Sequence, residues 1–248
     1  MSKARHGKAR QEGVQQLARS IRVFSGNLWW GKADPDGLVD LIREHEVDVF
    51  AAQEMGFENA EAIATELPFG SLEPDNTFQG MGIALRHPAK YERIPLAFRD
   101  ARRVVLEPFE WEGLERAIDF VNVHFQAPHS LRPFPPALIR LRQVQAMERF
   151  FAENPSDARI VVGDYNAAPG WPLYRRMARN LTDGALRAAQ REGRSVEPTW
   201  GPSAKSPRLF RIDHAMVSGI EIENFRVVDI PGSDHSGLVF DCSPSALG

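Results

Sequence analysis

The sequence predicts an α/β (α+β) domain of mixed β-sheets with helices packed outside them. Helical and strand patterns alternate through residues 21–67 and again through 116–191, while strand patterns run in succession in the middle and at the end of the chain. The stretch VDVFAAQE (47–54) is apolar at most positions, as a strand covered on both faces would be.

Taken in order, IRVFS (21–25) reads as a strand. Asp34-Pro35 sets an N-cap and a first-turn proline for a helix over 35–46, with Leu38, Leu41 and Ile42 on one face. Strand 47–54 and a helix over 58–67 follow. MGIALR (81–86), YERIPLAF (91–98), RVVLEPFEW (103–111) and RAIDFVNVHF (116–125) form a run of strands. From Pro136 to Phe151, Leu138, Ile139, Leu141, Val144, Met147, Phe150 and Phe151 recur at helical spacing and are expected in the core. RIVVGD (159–164) is a strand, a short helix starts at Pro172, and another spans 184–191. RIDHAMVS, IEIENFRVV and SGLVFDC close the chain as strands, after a Pro/Ser/Gly-rich surface loop at 198–207.

The 248 residues suffice for a sizeable core and are read as one catalytic domain over 21–248, preceded by a tail over 1–20. That tail carries positive charge without the apolar segment of a signal peptide, and is expected to fray or to form a short amphipathic helix. No apolar run approaches the ~20 residues that span a bilayer. A formal net charge of -3 argues against a protein that coats nucleic acid or anionic membrane. The one cysteine, Cys242, permits no internal disulfide. A cytoplasmic monomer is the expectation.

GNLWWGKA (26–33) nearly matches the phosphate-cradling pattern G-x-x-x-x-G-K-[ST] after a strand. Ala33 stands where the hydroxyl that holds Mg²⁺ is needed. Two tryptophans fill a loop whose backbone should lie open, and the helix starts beyond the lysine. A P-loop-like NTPase is therefore kept only as an alternative.

Several strand patterns end in residues capable of acid–base or metal chemistry: Asn27, Glu54, His124, Asp164 with Asn166, and Asp234 with His235. RIDH places Asp213 and His214 inside another strand. In an extended chain, residues i and i+2 face one side, so Asp164 and Asn166 would aim at one spot. Oxygen ligands of this kind suit Mg²⁺, with Mn²⁺ as a substitute, and leave positions for water and substrate phosphate. A carboxylate-held histidine serves as base or oxyanion partner, and an asparagine amide can donate to a phosphoryl oxygen. No Cys/His cluster has zinc spacing, and no G-x-S-x-G elbow is present. Metal-assisted attack of water on phosphorus fits this set best.

The motifs N-L (27–28), Q-E (53–54), V-x-V-H-F (121–125), G-D-x-N (163–166), I-D-H (212–214) and S-D-H (233–235) stand in the order of the endonuclease/exonuclease/phosphatase superfamily, which the sequence resembles over 21–243. The likeness is greatest to small bacterial members of unassigned substrate, around P-T-W, R-I-D-H and D-I-P-G-S-D-H. The resemblance implies a DNase I-like, four-layered sandwich of two mixed sheets flanked by helices. It implies Glu54 as main metal ligand, with Asn27 beside it and Asp234 near the metal. Asp164 would handle the attacking water and Asn166 steady the transition state. Asp213 would orient His235 against the scissile phosphate, with His124 on its other side. The substrate would be a phosphate ester, in nucleic acid or a small phosphodiester.

Each residue also has a plainer reading: Asn27 as a turn residue, His124 as a core histidine, Asp164 and Asn166 as an Asx-turn, Asp234-His235 as a polar turn. The ordered set favours catalysis. Arg102 and Arg103 open a strand directed at the same region and are candidate contacts to substrate phosphate; a solvated strand end is the alternative. Phosphomonoesterase activity, or a non-catalytic module that keeps the fold, are the remaining readings.

Overall fold

A computed structural model describes residues 20–129 and 135–245. The tail expected over 1–20 therefore lies almost wholly outside the described residues. Strands β1 (Ile21–Asn27), β2 (Val49–Gln53), β3 (Phe69–Glu73), β4 (Met81–Leu85), β11 (Ile220–Asp229) and β12 (Ser236–Pro244) make one sheet, in the order β11-β12-β1-β2-β4-β3. The second contains β5 (Lys90–Leu96), β6 (Arg99–Leu106), β7 (Ile118–His124), β8 (Arg159–Asp164), β9 (Thr182–Asp183) and β10 (Asp213–Ser218), in the order β5-β6-β7-β8-β10-β9. Each sheet holds one parallel pair, β1 with β2 and β7 with β8, joined through helices α1 (Pro35–Glu44) and α3 (Pro136–Glu153). The other helices are α2 (Phe57–Glu66), α4 (Pro172–Met177) and α5 (Gly184–Arg191).

Strand periodicity divides the apolar residues into three layers. On β1, Val23 faces the space between the sheets while Phe24 packs with Leu38 and Ile42 of α1 and Ile63 of α2. On β8, Ile160 and Val162 enter the central layer, and Val161 packs with Val144 and Met147 of α3. The result is the expected two-sheet sandwich flanked by helices. Phe24 and Phe50 stack at 4.6 Å on the helix side, both fully buried.

Several expectations shift. β3 and the two-residue β9 carry too little apolar alternation to be read in advance; β3 is an edge strand with half-exposed residues. β6 begins at Arg99 rather than Arg103 and ends at Leu106, before a turn over 107–111. In α3, Leu138 and Leu141 are exposed, at 37% and 42%, and the buried stripe is Ile139, Gln143, Val144 and Met147. The apolar pattern there is wider than the face the sheet covers.

Gly163 takes φ 129°, where an added Cβ would lie 2.0 Å from the Val123 carbonyl oxygen. Backbone, rather than a yielding side chain, forms that wall. Gly163→Ala is expected to lower stability by at least about 2 kcal/mol in urea denaturation; a change below about 0.5 kcal/mol would contradict this reading of the β7–β8 contact.

Candidate active site

Strand direction gathers the candidate residues. β1 and β2 are parallel and end together, with Asn27 opposite Gln53 and Glu54 next in the chain. β7 and β8 end together at His124 and Asp164. β10 is antiparallel to β8, so its first residue, Asp213, lies opposite Asp164. β12 is antiparallel to β1 and starts at Ser236, which brings Asp234 and His235 to the end of β1. All these positions thus meet at one edge of the sandwich, where both sheets open onto a cleft of about 620 Å³.

Asp213 Oδ2 accepts hydrogen bonds from Thr199 Oγ1 at 2.6 Å and His235 Nδ1 at 2.9 Å. His235 Nε2 then points towards Asp164, 4.0 Å from its Oδ2. That oxygen also accepts from Asn166 Nδ2 at 2.9 Å and from Asn27 Nδ2 at 3.1 Å. His124 Nε2 stands 3.5 Å from both Asp164 Oδ2 and Glu54 Oε1.

Asp164 and Asn166 do converge, but not through an extended chain. β8 stops at Asp164, and Asn166 takes φ 47° with its N–H on Asp164 Oδ1 at 2.7 Å. This is an Asx-turn, the plainer reading, in the service of the site. Tyr165, between them in the chain, turns away and is buried between Phe125 and His214. Both amide hydrogens of Asn166 are engaged, one on Asp164 and one on the Phe125 carbonyl at 3.1 Å, which suits it to hold Asp164 rather than a phosphoryl oxygen.

Burial works against charge throughout. It raises Asp164 to about 7, aided by Asp213 and opposed by His235. Burial also raises Glu54 and Asp234, against the hydrogen bond from Asn27 to Glu54 and the positive His235 beside both. For His235, burial alone would favour the neutral ring, but Asp213, Asp164 and Asp234 together push it up to about 10. It is an imidazolium at neutral pH. Burial, with Arg99 and His235 nearby, holds His124 well below its ordinary value, so that ring is neutral.

The oxygen-rich donor set fits a divalent cation. Ligand atoms of Glu54, His124 and Asp164 lie within 4.8 Å of one another, as do those of Asp164, Asp213 and His235. Asp234 Oδ1 is buried with no hydrogen-bond partner, while its Oδ2 accepts from Trp200 Nε1 at 3.2 Å. An orphaned carboxylate oxygen among carboxyls whose charge is penalised is satisfied by a hard cation. Asn27 Oδ1 accepts from the Trp29 N–H at 2.9 Å and retains one lone pair.

The model of the Endonuclease/Exonuclease/phosphatase family matches residues 24–235. The chain belongs to this family. Its members are metal-dependent phosphoester hydrolases, and this chain is an enzyme of that kind. No curated protein matches the chain by sequence. Among solved structures, an endonuclease/exonuclease/phosphatase protein from Bacteroides vulgatus is 16% identical, with TM-score 0.69 over 92% of this chain and 100% of that one. A mannosyl-6-phosphatase from Bacteroides thetaiotaomicron is 15% identical, with TM-score 0.68 over 90% and 99%. TDP2 from D. rerio, complexed with a single strand DNA product, is 13% identical, with TM-score 0.68 over 90% and 99%. These likenesses establish the DNase I-like fold.

Two expected residues do not reach the cleft of this family member. Arg102 is paired with Glu73 at 2.6 Å, and Arg103 with Glu92 and Asp119 along the sheet. Arg102 lies opposite Asn122, two residues back from His124, so the strand's start reaches the tip instead. There Arg99 lines the cleft and donates to the His124 carbonyl at 3.0 Å. Placing the start of β6 at Arg99 would have identified it.

The P-loop-like alternative also fails. The N–H groups of Leu28, Gly31, Lys32, Ala33 and Asp34 all donate to backbone carbonyls, and that of Trp29 to Asn27. Lys32 Nζ lies 3.8 Å over the Trp29 ring. Few donors are left for a phosphate.

Arg208, absent from the sequence reading, clamps the S-D-H segment. Its guanidinium donates to the carbonyls of Asp234 at 2.7 Å, of Ser233 and His235 at 3.1 Å, and to Ser236 Oγ at 3.0 Å. A lysine cannot span these acceptors. Arg208→Lys is expected to lower kcat for phosphoester hydrolysis about 10- to 100-fold and to displace the alkaline limb of the pH profile. An unaltered kcat and profile would contradict the clamp.

The pKa shifts set a second expectation. Asp164 rises from 3.8 to about 7 and His235 from 6.5 to about 10, so folding takes up protons. Stability of the metal-free protein should then fall as pH rises, from about pH 4 to 7 through Asp164 and from about 6.5 to 10 through His235. A divalent cation replaces the lost protons and should raise Tm more at pH 8 than at pH 5. Equal shifts at both pH values would contradict the site.

Proposed function

We propose that this protein is a Mg²⁺-dependent phosphodiesterase, with Mn²⁺ able to substitute, in which residues 21–248 form a single catalytic domain acting as a cytoplasmic monomer. The observation that carries the reading is the His235 ring, held at Nδ1 by Asp213 and facing Asp164 across 4.0 Å, with Glu54 and Asp234 beside them.

In this mechanism Asp164 orients a water for in-line attack and takes its proton, a task matched by a carboxylate raised to about 7. Asn27 and Asn166 fix its orientation through Oδ2. His235 donates from Nε2 to a non-bridging oxygen as charge grows on it, and Asp213 holds the ring from Nδ1. Neutral His124 donates from the far side, and Arg99 adds positive charge at the rim. A divalent cation held by Glu54, Asp234 and Asn27 Oδ1 would neutralise phosphoryl charge as a Lewis acid. A diester is favoured because it carries one negative charge, and besides His235 and the neutral His124 the described lining offers only Arg99 and His129 as basic side chains. The buried, unpaired Cys242 agrees with a reducing compartment.

Bis(p-nitrophenyl) phosphate is expected to be hydrolysed faster than p-nitrophenyl phosphate with Mg²⁺ or Mn²⁺, and EDTA to stop both. Glu54→Gln and His235→Ala should each lower kcat about 10²- to 10³-fold. If wild type and both variants behave alike on diesters and monoesters, catalysis at this site is wrong; a monoester preference would exchange diesterase for monoesterase.

A further inference from the structure

The cleft walls are aromatic, and the rings come from four loops at positions outside the six ordered motifs. Trp29 and Trp30 come from the β1–α1 loop, Phe78 from the β3–β4 loop, Trp171 from the residue before α4, and Trp200 and Phe210 from the loop ahead of β10. Trp30, Trp171 and Phe210 are 51%, 40% and 47% exposed. Such surface is left open to water when something is meant to cover it.

Backbone strain marks the same wall. Trp29 and Trp30 both adopt left-handed conformations, φ 48° and 56°, which bulky residues avoid. The turn is tied to the site, since the Gly31 N–H donates to the carbonyl of Glu54 at 2.8 Å. The loop ahead of β10 is tied as well: Phe210 stacks on Trp200 at 6.2 Å and 25°, and Trp200 Nε1 donates to Asp234. Rings from both loops are thus held in fixed relation to Glu54 and Asp234.

The polar inventory narrows the occupant. Outside the catalytic set, the hydrogen-bonding side chains of the described lining are Arg99, Gln126, His129 and four indole N–H groups, that of Trp200 already on Asp234; donors outnumber acceptors, a poor match to a polyhydroxyl sugar that needs both. One arginine and no lysine line it among the described residues, where a polymer of phosphates needs a track of cations. Aromatic faces accept planar rings of any identity. Resting on the phosphoesterase reading, we propose that the substrate is a short phosphoester carrying a flat aromatic group, a nucleobase or an aryl ring, stacked against the exposed rings of Trp30, Trp171 and Phe210 that line the cleft beside the scissile phosphate.

The test is competition against bis(p-nitrophenyl) phosphate turnover with Mg²⁺ present, paired with titration of intrinsic tryptophan fluorescence. The ligands are phenyl phosphate, adenosine 5′-monophosphate, octyl phosphate, glucose 6-phosphate and glycerol 3-phosphate. The two ring-bearing ligands should bind at least about tenfold more tightly than the other three. Phenyl phosphate and the nucleotide compared with each other distinguish an aryl from a nucleobase site. Trp30→Asn, which suits the left-handed backbone, and Phe210→Ala should each shrink that ratio to about threefold or less. Equal affinities in the wild type, a preference that survives both substitutions, or octyl phosphate as the tightest ligand would each overturn the proposal, the last in favour of an acyl chain. Absence of turnover would instead overturn the phosphoesterase reading, while the fluorescence titration still reads ring preference.

Discussion

The hydrogen bond between Asp213 and His235 joins the two sheets at the open edge of the sandwich, and the site is organised around it. Asp213 begins β10 of one sheet, and His235 precedes β12 of the other. Burying a carboxylate and an imidazole separately would be costly; as a charged pair in contact, each offsets the desolvation of the other. Two more polar bridges cross the same seam. Asn27 Nδ2 meets Asp164 Oδ2, and Gln53 Nε2 meets Asn122 Oδ1 at 2.7 Å, while Asn122 Nδ2 reaches the carbonyls of Ala52 and Gly82 at 2.9 Å. A core of Val, Ile and Phe alone would let the sheets slide by small steps at little cost. Directional bonds between named atoms fix their relative position, and with it the distances on which proton transfer depends.

The remaining features follow from that fixed seam. Parallel pairing puts Asn27, Glu54, His124 and Asp164 at strand ends, where the backbone is free to turn, and the left-handed residues Glu54 and Asn166 stand at those turns. Strain is tolerated there because hydrogen bonds over-determine the geometry: Asn166 alone is held by three, through its N–H and its amide. Arg208 performs the same service for Ser233 to His235, from a loop with no regular structure of its own.

Much of this was legible in the sequence because catalytic residues at strand tips leave a local signature: an apolar run, then a carboxylate, amide or histidine. The strands ending at Asn27, His124 and Asp164, and Glu54 just past another, carried it; the two-sheet sandwich and the pairing of Asp213 with His235 came from the order of the motifs. What was not legible depends on contacts between distant segments. Arg208 directly follows the Pro/Ser/Gly-rich stretch 198–207, and only the folded chain brings it to carbonyls more than 20 residues away. Arg102 and Arg103 looked available because a strand's start cannot be fixed by periodicity when arginines lie on both sides of it; β6 begins at Arg99. GNLWWGKA, set aside for Ala33 and its tryptophans, has Gly26 within β1 and Gly31 in a turn at φ 79° beside the two tryptophans, not a row of free amides.

The most direct test of the central claim is a double-mutant cycle on kcat/KM for a diester substrate, with Asp213→Ala, His235→Ala and both together. If Asp213 acts through His235, the double variant should be about as slow as His235→Ala alone, giving strong non-additivity. Losses that simply add, with the double variant slower by the product of the two single effects, would contradict a shared role and with it the organisation of this site around the pair.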